Sequence, residues 1–327
     1  MMLFLNVLLL LVGFVALIKG ADFFVDGSSS LAKIFKVPGV IIGLTIVALG
    51  TSLPELAVST SAALRGANEI AVSNVTGSNI FNILCVLGFC SLFHRVPVNS
   101  IILKRDFPVS IAVSLVALFA SCSRVIFSGK LFGLKMADNA GLVSRWLGIL
   151  LLVLFVSYIF CLIYDAKKNP VSEEETSKVY SLPKSILLII IGVAMIIAGG
   201  QAVVNSARFI ARTFGMTETL IGLTVVAIGT SLPELVTSIV AARKGEVDLA
   251  VGNVVGSNIF NLLFILGVSS TIHPVTVNAA SVYDFGIMII ISILAWVFSI
   301  TNKSVRRAEG IFMILTYAAI TVFAILR

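Results

Sequence analysis

Gly50-Thr51-Ser52-Leu53-Pro54-Glu55 occurs twice in this chain, returning letter for letter as Gly229-Thr230-Ser231-Leu232-Pro233-Glu234. A second block, Gly77-Ser78-Asn79-Ile80-Phe81-Asn82, returns as Gly256-Ser257-Asn258-Ile259-Phe260-Asn261. Both pairs are offset by 179 residues, and 29 of 48 positions are identical between Gly43–Cys90 and Gly222–Ser269. Outside this stretch the two halves are far less alike. A duplicated fold needs only its hydrophobic pattern kept, so duplicated polar residues inside apolar runs need a chemical reason. Each block sets an acid, a proline and several hydroxyls where a lipid-embedded helix would be apolar. The blocks are the candidate working site.

Working outward, the chain has 327 residues, of which 58% are hydrophobic and 12% charged. Apolar runs of about 20 residues, the length that crosses a hydrocarbon core, follow one another from end to end. They are expected at 40–64, 70–93, 106–126, 142–164, 218–242, 249–272, 282–301 and 307–326, with longer or tilted segments at 2–31 and 183–211. This series argues against a water-soluble all-α core. The expected fold is an all-α polytopic membrane protein of ten transmembrane helices. No Lys or Arg precedes the first run and Lys19 follows it, so it reads as a membrane helix rather than a cleaved leader. Cys85, Cys90, Cys122 and Cys161 all sit in apolar segments without metal-ligand spacing, and are expected to be packing residues.

The net charge of +7 is dispersed among short loops, which suggests no nucleic-acid partner and reads better as topology. With the N-terminus outside, 14 Lys and Arg fall on the cytoplasmic side and 8 on the outer side, favouring both termini out. One linker interrupts the hydrophobicity, Asp165–Leu182, with Asn169-Pro170 and Glu173-Glu174-Glu175. The expected domains are a first five-helix repeat over 1–164, a cytoplasmic linker over 165–182 and a second repeat over 183–327. Five crossings per half make the second repeat enter the membrane in the opposite sense. An inverted 5+5 repeat is a common plan for secondary transporters, with sites at the repeat interface near the midplane.

Within each block, residues three and four apart share a helical face, so Thr51 and Ser52 are expected beside Glu55. Pro54 lacks an N–H, which frees the Gly50 carbonyl and predicts a kink. Freed backbone at membrane depth is tolerated where it is buried in protein or lines a wet cavity. Ser78 and Asn82 add a hydroxyl and an amide on one face of the next helix. The second half supplies Thr230, Ser231, Glu234, Ser257 and Asn261 in the same arrangement. Two carboxylates, several hydroxyls, two amides and freed carbonyls make an oxygen cage suited to Ca²⁺, which takes about six to eight oxygens. No thiol or imidazole accompanies them, which disfavours zinc, copper and iron. Glu55 and Glu234 could instead only tie helices together, but intramembrane acids are functional by default. Asn74 and Asn253 read as helix–helix links. Asp22 and Asp26 have Gln201 and Asn205 as repeat counterparts, so packing or cavity lining rivals ion coordination for them. His94 and His273 also share the offset and end apolar runs, which suits interfacial anchoring.

At these residues the sequence resembles the calcium/cation antiporter superfamily, and within it the prokaryotic sodium/calcium exchangers. The GTSLPE and GSNIFN pairs look like that family's two α-repeats, and these stretches cover about a third of the chain. The resemblance implies alternating access, with the site between helices 2, 3, 7 and 8 and with helices 1 and 6 sliding across the rest. It also implies Glu55 and Glu234 as shared carboxylates, with Thr51, Ser52, Ser78, Thr230, Ser231 and Ser257 as oxygen ligands. Backbone carbonyls of Ala48 and Ala227 would join them. Many relatives carry Asp where this chain has Asn261, an acid that marks the potassium-dependent branch; its absence argues against potassium co-transport.

The expected function is therefore Ca²⁺ export in exchange for Na⁺, with proton/Ca²⁺ exchange as the alternative. Neutral oxygens away from the acids suit Na⁺, and the proton-coupled branch typically shows a GNxxE-like motif where GTSLPE stands here. An intramembrane serine hydrolase would need a base beside its serine, and neither histidine lies near the blocks. A channel fits poorly with a carboxylate-lined site under two-fold symmetry. No cofactor and no obligatory protein partner are expected; the partners are Ca²⁺, Na⁺ and the bilayer of the cell membrane.

Overall fold

The computed structural model describes residues 2–66, 68–93, 95–168, 179–216 and 227–326. The long helices are α1 (Met2–Ile34), the bent pair α2 (Gly39–Thr51) and α3 (Leu53–Leu64), α4 (Ile70–Phe93), α5 (Ile102–Phe127), α6 (Arg145–Lys168) and α7 (Leu182–Thr213). They continue with α8 (Ala227–Thr230), α9 (Leu232–Arg243), α10 (Val247–Ile272), α11 (Ala279–Asn302) and α12 (Arg307–Leu326). Among the described residues eight helices are long and apolar enough to cross a membrane, and α2 with α3 makes a ninth if the pair is one span. The tenth expected segment, 218–242, is described only as α8 and α9; its start lies outside the described residues, as do His94 and most of the 165–182 linker.

The exterior is apolar and the polar residues are inside, the inverse of a water-soluble protein. In α4 and α10, which carry the GSNIFN blocks, 83% and 94% of the most apolar stretch is buried, against 11% in α1 and α12. Cys85, Cys90 and Cys122 pack inside as expected, but Cys161 is exposed on the apolar surface of α6. The chain is an integral membrane protein.

Two short antiparallel ribbons, which hydropathy alone did not predict, tie loops at opposite ends. β1 (Val96–Pro97) pairs with β4 (Ser304–Val305), and β2 (Asn139–Val143) pairs with β3 (Val275–Asn278). The end holding β1 also gathers Lys33 with Glu246 (3.6 Å), Lys244 with Asp22 and Asp26 (3.3 and 2.7 Å), and Arg105 with Asp165. Asp22 and Asp26 thus tie the second half of α1 to Lys244, just past the end of α9.

α1 and α7 pack antiparallel along a seam of small residues. A Cβ on Gly20 would lie 2.9 Å from the Gly192 carbonyl oxygen, and one on Gly192 2.8 Å from that of Gly20. Gly13 meets Gly199 and Gly27 meets Ser185 in the same way, at 2.9 and 2.7 Å. Without a hydrophobic drive between helices in lipid, such close backbone approach supplies the packing. The 179-residue offset carries Gly13 and Gly20 onto Gly192 and Gly199, so each half contributes one side of a self-complementary seam.

Candidate functional site

Both duplicated blocks fold as broken helices. Ser52 leaves the helical region (φ −87°, ψ 9°) and Ser231 does the same (φ −94°, ψ 7°), each just ahead of a proline in the first turn of the next helix. The α2–α3 bend is 51°, the kink that Pro54 predicts. Further irregularity follows the second motif in each half. Asn82–Val86 and Asn261–Ile265 are π-helical turns, with Leu87 and Leu266 donating to the Asn82 and Asn261 carbonyls. Such single wide turns inside helices recur at functional sites.

The break changes which groups meet. Ser52 was expected beside Glu55 of its own block; instead its hydroxyl donates across the molecule to Glu234 Oε1 at 2.9 Å. Ser231 returns the exchange, donating to Glu55 Oε1 at 3.1 Å. With the helix interrupted at the serine, the i, i+3 alignment no longer holds, and each acid is served by the other half. Ser78 joins Glu55 Oε1 at 3.5 Å and Ser231 Oγ at 3.1 Å. Thr51 is within reach of the Val47 and Ala48 carbonyls (3.2 and 3.4 Å) and of Asn253 Oδ1 (3.0 Å). The Ala48 carbonyl also accepts the Ser52 N–H at 3.1 Å. In the second half Ser231 N–H donates to the Ile228 carbonyl at 3.2 Å.

Asn74 and Asn253 behave as the sequence suggested. Asn74 Nδ2 donates to the Glu55 carbonyl (3.2 Å) and Ser59 Oγ (2.8 Å), tying α4 to α3. Asn253 does the same to Glu234 (3.5 Å) and Ser238 (2.9 Å). Ser257 faces Asn253 Oδ1 at 3.5 Å rather than Glu234, so the two halves are similar but not equal.

Asn79 and Asn258 are central residues that motif reading passed over. Each amide donates to the other's backbone carbonyl, at 3.2 and 3.3 Å. Their Oδ1 atoms accept from Asn261 (2.9 Å) and Asn82 (3.2 Å) respectively. This ring of four amides joins α4 to α10. Its signal was present, since all four lie in the duplicated GSNIFN blocks, but neither partner can be guessed from spacing on one helix.

Among the described residues, four oxygens at this centre are buried without a hydrogen-bond partner: Glu55 Oε2, Glu234 Oε2, Asn82 Oδ1 and Asn261 Oδ1. All four residues are at most 1% exposed. A buried acceptor left unpaired costs roughly 1–3 kcal/mol, more when charged, so four related by the repeat are not accidental. Unpaired carboxylate and amide oxygens beside hydroxyl lone pairs are what a hard cation coordinates. Among the described residues no group of three or more His, Cys, Asp or Glu side chains could hold a metal.

The family model for sodium/calcium exchanger proteins matches residues 5–164 and 184–326. The chain belongs to that family. It is 39% identical to the putative antiporter CaxA of Alkalimonas amylolytica, over 94% of each chain. It is 34% identical to the sodium/calcium exchanger MaX1 of Methanosarcina acetivorans, over 97% of each. A solved structure of the sodium-calcium exchanger NCX_Mj superposes with a TM-score of 0.81 at 30% identity, covering 99% of this chain and 100% of that one. These relatives are transporters rather than enzymes.

Proposed function

We propose that this chain is a secondary antiporter that exchanges Ca²⁺ for Na⁺ across the cell membrane by alternating access. Ten spans in an inverted 5+5 arrangement, with both termini outside, would carry it. The observation behind this reading is the set of four unpartnered buried oxygens, two from each repeat, beside serines that serve the opposite repeat's acid. The ligands would be Glu55, Glu234, Thr51, Ser52, Ser78, Asn82, Thr230, Ser231, Ser257 and Asn261, with the carbonyls of Ala48 and Ala227.

Charge decides what such a site can carry. Two ionised glutamates balance one Ca²⁺ or two Na⁺, so the two cargoes compete for one neutralised state, and a third Na⁺ makes transport electrogenic. Neutral oxygens complete an Na⁺ shell and do nothing for a bare proton, which supports Na⁺ as the driving ion. The family resemblance implies that the first and sixth helices slide across the rest, and the close packing of α1 on α7 supports their moving as a unit. The test uses sealed vesicles with pH clamped equal on both sides. An outward Na⁺ gradient should drive Ca²⁺ uptake. Uptake that ignores Na⁺ and follows an imposed pH gradient would show proton/Ca²⁺ exchange instead.

A further inference from the structure

The four asparagines that join α4 to α10 are each at most 2% exposed. An asparagine amide has two chemically opposite ends, an oxygen that accepts and an NH₂ that donates, and its shape does not decide which end points where. Here the backbone decides. A carbonyl can only accept, so the Asn79 and Asn258 carbonyls each draw the NH₂ of the amide opposite. Asn258 Nδ2 donates to the Asn79 carbonyl at 3.3 Å, and Asn79 Nδ2 to the Asn258 carbonyl at 3.2 Å. That leaves both Oδ1 ends turned away from the carbonyls as acceptors. Asn82 Nδ2 meets Asn258 Oδ1 at 3.2 Å, and Asn261 Nδ2 meets Asn79 Oδ1 at 2.9 Å. Turning Asn82 or Asn261 over would set Oδ1 against Oδ1, two acceptors with no proton between them. Their own Oδ1 atoms are therefore directed away from the ring, buried and without a partner. Asn82 follows Ser78 by one helical turn and shares its face, and the Ser78 hydroxyl reaches Glu55 Oε1 at 3.5 Å. Asn261 holds the equivalent place in α10.

We propose that Asn79 and Asn258 are positioning residues for the transported cation. Neither ligates it; each fixes the amide of an asparagine in the opposite repeat so that an oxygen, and not an NH₂, is presented to the ion. The inference deepens the exchanger reading above and rests on it. An NH₂ carries partial positive charge, so an overturned amide changes a ligand into a group that repels a cation. An amide free to turn would have to be caught oxygen-inward at every binding event, an ordering cost that the ring removes in advance. Groups that orient a metal's ligands from behind contribute about 10- to 100-fold to affinity. The relation is crossed, with Asn258 acting on Asn82 and Asn79 on Asn261.

The test is a double-mutant cycle in Ca²⁺ affinity, measured by calorimetric titration of the purified full chain in detergent. Asn258→Leu, close to asparagine in size but without either polar end, should raise the Ca²⁺ Kd about 10- to 100-fold. Asn82→Ala should raise it too, by removing the oxygen itself. The two together should match Asn82→Ala alone to within about twofold, because Asn258 then has no amide to orient. Asn258→Leu with Asn261→Ala should instead multiply, since Asn261 takes its orientation from Asn79. Should Asn258→Leu fail to fold, Asn258→Ser removes the same bonds with a smaller change, and the mirror cycle of Asn79→Ser with Asn261→Ala reads the same relation. A ring that only ties α4 to α10 would lower the melting temperature yet shift Kd equally with Asn82 present or absent; that result overturns the proposal. An unchanged Kd in Asn258→Leu overturns it as well. A wild type that binds neither Ca²⁺ nor Na⁺ removes the exchanger reading itself and this inference with it, whereas a wild type that binds, with an additive cycle, overturns the inference alone.

Discussion

Replacing Glu55 or Glu234 with glutamine separates a coordinating acid from a structural one. Glu55 Oε1 accepts from Ser231 (3.1 Å) and Ser78 (3.5 Å), while Oε2 has no partner. A glutamine can keep its carbonyl at the Oε1 position, retaining both hydroxyls, and turn its NH₂ to the Oε2 position. The change therefore leaves the helix contacts intact and sets a donor where an anionic acceptor faced the site. Without Ca²⁺ the variant should be as stable as the wild type or more so, because one of two mutually repelling buried carboxylates is gone. With Ca²⁺ the effect reverses. Removing one partner of a buried charge pair costs about 3–5 kcal/mol, or roughly 10²- to 10⁴-fold in affinity. At a Ca²⁺ concentration about 100 times the wild-type Kd, binding stabilises the wild type by about 2.7 kcal/mol. With Kd raised about 100-fold, the same concentration contributes about 0.4 kcal/mol. Thermal melting of purified protein with and without Ca²⁺ reads both quantities, and vesicle flux should be abolished. A Ca²⁺-dependent rise in melting temperature equal to the wild type's, or a variant that unfolds without Ca²⁺, would refute the reasoning.

The exchange of hydroxyls between repeats predicts that Ser52→Ala couples to Glu234→Gln in a double-mutant cycle, by about 0.5–3 kcal/mol in Ca²⁺ binding, and not to Glu55→Gln. Coupling within the block instead would restore the single-helix picture. Gly20→Val should lower exchange far more than equilibrium Ca²⁺ binding, since its side chain meets Met195 Cβ and the Gly192 carbonyl within 2.9 Å of Cβ and obstructs the α1–α7 seam. Unchanged flux would show that the seam is passive. Because Asn261 adds an oxygen without a charge, transport should be indifferent to K⁺; a severalfold faster rate when K⁺ replaces an inert cation would contradict this. Single cysteines in the 165–182 linker should label only from the cytoplasmic side, and labelling from outside intact cells would reverse the topology.

The sequence by itself determined a good deal of this protein. Hydropathy marked the described membrane-length helices to within a few residues, because a hydrocarbon core imposes a length on every span. The 179-residue duplication exposed the acids, hydroxyls and GSNIFN amides, because buried polar residues inside apolar runs stand out against their surroundings. Pro54 and Pro233 announced the breaks through their missing N–H. Tertiary structure decided who meets whom. Helical periodicity relates residues three or four apart, whereas Ser52 finds Glu234 182 residues away and Ser231 finds Glu55 176 residues away. The amide ring of Asn79, Asn82, Asn258 and Asn261, and the ribbon that pairs Val96 with Val305, depend equally on contacts between the halves. Such pairings arise from packing two repeats against each other, and no pattern along one helix encodes the register at which they meet.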